Sequence, residues 1–106
     1  MDTLTITALT TSGQAYDIDF PLHPLTRSTE GVGALVTAAL ETISQQVAAG
    51  RQLSDGDILQ GLAMTLAIRA RMAGGSADSM KTLVHELFDD AFDAALAAPQ
   101  TQAGRA

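Results

Sequence analysis

The chain has 106 residues, with 12 acidic against six basic and a net charge of −6. At 46% hydrophobic and 17% charged it is too apolar for a disordered chain. No cysteine is present, which excludes a disulfide scaffold, a zinc ribbon and a thiol enzyme, and so few basic residues exclude a general nucleic-acid binder.

Residues 3–9 alternate, with Leu4, Ile6 and Ala8 on one side and Thr3, Thr5 and Thr7 on the other. Period two with Thr and Ile predicts a half-buried strand. Residues 15–20 repeat the pattern, with Tyr16, Ile18 and Phe20 opposed to Asp17 and Asp19. Thr10 to Gln14 forms the turn between them, and Gly13 is free to take positive φ. The spacing therefore predicts a β-hairpin over 3–20. Pro21 and Pro24 are expected to end it, since proline donates nothing to a ladder.

A first helix is predicted over about 29–49, capped by Ser28 or Thr29 and stopped at Gly50. Val32, Leu35, Val36, Ala39, Leu40, Ile43 and Val47 follow helical spacing. The second helix is predicted over about 55–73. Ser54 and Asp57 have the spacing of a capping box, with Leu53 and Ile58 placed as a staple. It is apolar almost all round, interrupted by Gln60, Thr65, Arg69 and Arg71. Lacking a polar face, it reads as a buried helix. Two other helices and a hairpin are too few to surround it, so a second subunit is expected. The third helix is predicted over about 77–98, after Gly74-Gly75 and a capping Ser76. Its polar side holds Glu86, Asp89, Asp90 and Asp93. Between Asp78 and Asp93, five acids and Lys81 leave a charge of −4, two-thirds of the total. Pro99 stops the helix, and residues 99–106 are expected to form a flexible tail.

The fold class expected is α+β and mainly α: a two-stranded antiparallel hairpin followed by a three-helix bundle, all within a single domain over 1–98 and dimeric. No basic segment precedes an apolar one at the N-terminus, and the longest uncharged apolar stretch, Ile58 to Ile68, is short of the ~20 residues that span a bilayer. No signal peptide or membrane partner is expected, and the location expected is cytoplasmic.

Few residues suggest chemistry. His85 and Asp89 share a helix face at i, i+4, the spacing of a metal-ligand pair, but the same pair also suits a solvated acidic surface. Arg69 and Arg71 suit an anion clamp, or stems that cover apolar surface while their heads meet acids. Gly74-Gly75-Ser76 lacks a Walker lysine and Asp55-Gly56-Asp57 lacks the other oxygens of a calcium loop, so both are explained by capping. No GxSxG or SxxK occurs. No cofactor and no catalytic residue is expected.

The leading expectation is a non-catalytic acidic interaction protein (chaperone, adaptor or regulator) acting as a homodimer, with a further protein partner allowed and no nucleic acid. Its interface residues are Ile58, Leu59, Leu62, Ala63, Leu66 and Ala67. One alternative is a binding module for an apolar small molecule between helices two and three, lined by Met64, Met72 and Met80. Another is a metal-dependent enzyme with ligands on helix three.

Overall fold

The computed structural model describes residues 2–9 and 13–102. Strand β1 is Thr3–Leu9 and strand β2 is Gln14–Pro21. They pair antiparallel, with Leu4 opposite Phe20, Ile6 opposite Ile18 and Ala8 opposite Tyr16. The alternating apolar residues of both strands thus share one face, as a two-residue period requires. On the other face Thr5 Oγ1 donates to Asp19 Oδ1 at 2.6 Å, and Thr7 Oγ1 to Asp17 Oδ1 at 2.7 Å. These cross-strand pairs give both carboxylates a partner and reinforce the register. Of the expected turn, residues 10–12 lie outside the described residues, while Gly13 has φ +87°.

Pro21 does not stand outside the hairpin as expected; it is the last residue of β2, opposite Thr3. The reason lies in the ladder's parity. The Leu22 amide donates to the Asp2 carbonyl at 3.0 Å, so even-numbered residues direct their N–H and C=O inward. The Pro21 nitrogen therefore faces away from β1, and no ladder bond is lost.

Strand β3, Gln100–Gln102, pairs antiparallel with the start of β2, giving the sheet order β1-β2-β3. The expected two-stranded hairpin is thus present within a three-stranded sheet, and residues 100–102 of the expected tail form its third strand. Gln-Thr-Gln has no apolar alternation to announce a strand. The rest of the expected tail, 103–106, lies outside the described residues.

The helices are α1 (Thr29–Ala48), α2 (Asp55–Met72) and α3 (Ala77–Ala97), so the chain is α+β and mainly helical. Each begins at a serine. Ser28 Oγ accepts from the Gly31 amide at 2.9 Å, and Ser76 Oγ from the Ser79 amide at 3.2 Å. At α2 the box is complete. Asp57 N donates to Ser54 Oγ at 3.1 Å, and Ser54 N donates to Asp57 Oδ2 at 3.0 Å. Two amides that the first turn leaves without helical partners are satisfied reciprocally. The α2 helix ends at Gly74, whose φ of +82° belongs to the left-handed region that favours glycine. Next to it, a Cβ on Gly75 would stand 2.8 Å from Met80 Cε, so a larger residue there would displace the end of the Met80 side chain.

The residues group into two units, Met1–Gly33 with His85–Ala106, and Ala34–Val84. In the first, the opening turns of α1 meet the apolar face of the sheet: a Cβ on Gly33 would lie 3.4 Å from Leu4 Cδ1. The buried hydrophobic residues among those described, Ala15 and Ile18, are in β2. This follows from β2 being the central strand. The second unit holds α2, most of α1 and the first turns of α3.

Candidate interaction surface

The α2 helix carries the expected interface residues, and it buries none of its 18 residues. Ile58 is half-buried. Leu59 is 66% exposed, Leu62 42% and Leu66 46%, and Ala63 and Ala67 are exposed beside them. Met64, Ile68 and Met72 are exposed on other sides of the same helix. The expectation of a buried helix is therefore not met within one chain. Its sequence has the composition of a core element, yet Ile58 and Ala70 are half-buried and its other residues are exposed.

The chemistry is sparse. Arg69 and Arg71 are exposed, and among the described residues neither meets an acid. His85 and Asp89 are exposed on α3, and no three His, Asp or Glu side chains converge as a metal site among the described residues. His85 and Asp89 thus keep the helical spacing of a ligand pair without a third ligand. Of the methionines proposed to line a ligand site, Met64 and Met72 are exposed, whereas Met80 is half-buried over Gly75.

One contact was outside the reach of sequence reasoning. Pro24 follows His23 in a turn where Thr26 N donates to the His23 carbonyl at 2.9 Å, and Leu25 N donates to His23 Nδ1 at 3.1 Å. With Nδ1 accepting, Nε2 is the nitrogen that carries the proton in the neutral ring. It lies 3.5 Å from Glu86 Oε2. The ring thereby ties the connector after β2 to α3 inside the first unit. On the same half of α3, Phe88 and Phe92 stack at 5.5 Å between centroids and 12° between planes, with both rings more than half exposed.

Among the described residues, no helix is long and apolar enough to cross a membrane. Compared with protein-family models, curated proteins and solved structures, the chain matches none.

Proposed function

We propose that the protein is a non-catalytic interaction protein that works as a homodimer, with α2 of one copy against α2 of the other. The observation that carries this reading is an apolar helix of 18 residues with no buried residue. In proteins most of a helix's stability comes from packing its apolar face. Each exposed leucine left in solvent forgoes about 1.5–3 kcal/mol of burial. A contiguous exposed apolar surface of this kind marks an association site.

The partner is a second copy because the surface is self-complementary. From Ile58 to Ile68 α2 carries no charge, so two copies meet without like charges across the seam. Ala63 and Ala67, four residues apart, allow close approach of two helix backbones, while Leu59, Leu62 and Leu66 flank them. A cytoplasmic location is part of the same proposal and is checked by cell fractionation. The test of the association is the mass of the untagged chain in solution across a dilution series. A mass of twice 11.0 kDa supports the reading, and 11.0 kDa at every concentration overturns it.

A further inference from the structure

We infer that the outer edge of β1 is a second self-association seam, at which two copies pair antiparallel about a twofold axis through Ile6 and continue the sheet from one chain into the other. The inference shares with the proposal above the identity of the partner, a second copy, and uses nothing of α2.

It begins with the direction of backbone groups. Strand β1 is an edge strand whose partner is β2. The Leu22–Asp2 bond sets even-numbered residues inward, so Thr3, Thr5, Thr7 and Leu9 direct N–H and C=O outward. Edge strands in single-chain proteins are usually blunted by lysine, proline, a bulge or brevity. β1 has none of these devices: seven residues, no charge, no proline, and a continuous register from Thr3 to Leu9.

The sequence of β1 then fits itself. About a twofold axis at Ile6, Thr5 faces Thr7 of the second copy and Thr3 faces Leu9 of the second copy. These are the residues whose backbone groups point outward, so they form the hydrogen-bonded pairs. Ile6 faces its own equivalent and Leu4 faces Ala8 of the second copy, in the non-hydrogen-bonded positions. Apolar residues meet apolar residues on one face, and on the other Thr5 meets Thr7 at the centre, with Thr3 beside Leu9 at each end. A register shifted by one residue would place inward-directed groups opposite outward ones and would reverse the faces.

Charge favours the same seam. Strand β1 itself holds no acid, and Asp2 precedes it, outside the Thr3–Leu9 pairs. Asp17 and Asp19 lie on β2 and accept hydrogen bonds from Thr7 and Thr5, one strand back from the seam, with two threonines between them and the corresponding acids of the other copy. A chain of net charge −6 has here an edge that a second copy approaches without a facing carboxylate.

Cross-linking tests the register, because the natural chain has no cysteine. Non-hydrogen-bonded antiparallel pairs stand at Cα separations of about 4.5 Å, within the reach of a disulfide. Ile6→Cys alone should oxidise to a covalent dimer. Leu4→Cys alone and Ala8→Cys alone should not, but their mixture should give the mixed dimer. Equal cross-linking by all single variants, or none by Ile6→Cys and by the mixture, overturns the inference. Amide exchange on the natural protein reads the same seam without a substitution. Thr5 and Thr7 amides should be protected at concentrations where the chain associates and lose that protection on dilution; exchange at the open rate throughout overturns it. The cross-link is repeated in an Ala63→Glu background. Cross-linking retained there supports the β1 seam whatever becomes of α2. Association of the natural chain without cross-linking and without protection removes the β1 seam and leaves α2 standing.

Discussion

Ser54 and Asp57 show how much a few neighbouring residues decide. Their two reciprocal bonds satisfy amides at the start of α2, where the helix itself supplies no acceptor. Ser54→Ala should cost about 1 kcal/mol, read as a lower urea midpoint with unchanged slope, and Ser54→Asp should restore most of it. At the other end, Gly74 holds φ +82°, so Gly74→Ala should cost about 1–2 kcal/mol by the same measurement. An unchanged midpoint in either variant would show that the helix ends carry no strain or capping energy. These features were legible in the sequence because caps and left-handed turns are decided within four residues. The His23–Glu86 contact was not, since it joins residues far apart in sequence through the turn at Pro24. Nothing in the neighbourhood of either residue announces the other.

At the level of elements, the strands and helices follow the period of their apolar residues. Leu4, Ile6 and Ala8 share the half-buried face of β1, and Thr3, Thr5 and Thr7 are exposed. The expected helix ends differ from α1, α2 and α3 by one residue. Strand β3 is not legible in the sequence because it is short and polar, and its pairing is with β2, far away along the chain. The helices are where pattern and surroundings part, since α1, α2 and α3 each bury none of their residues. Of the three, α2 has no polar face to set against its apolar one, so its sequence asks for burial on every side. Ala63→Glu and Ala67→Glu each place a charge in the proposed seam, where it would be desolvated without a partner. Either change should shift the chain toward monomer by at least tenfold in dissociation constant, measured by sedimentation. Gln46→Glu on α1 is the control, exposed and outside the seam, and should leave association unchanged. Natural association in both alanine variants would remove α2 from the interface.

For the whole molecule, the sequence disclosed the fold class more fully than the function. The hairpin and three helices are present as expected, because each is specified by local pattern. The candidate site was legible only as a surplus: more apolar surface on α2 than one small chain has elements to cover. The described His, Asp and Glu side chains form no group of three that could hold a metal ion. What the chain presents instead is uncharged surface, along α2 and along the outer edge of β1. Burying such surface releases ordered water and couples folding to assembly, so thermal stability should rise with protein concentration. A melting temperature independent of concentration over a hundredfold range would contradict that coupling. The most direct measurement is sedimentation equilibrium of the untagged chain from nanomolar to high micromolar concentration. Self-association predicts a mass of at least twice 11.0 kDa at high concentration that falls to 11.0 kDa on dilution, and a folded species of 11.0 kDa at every concentration would contradict it.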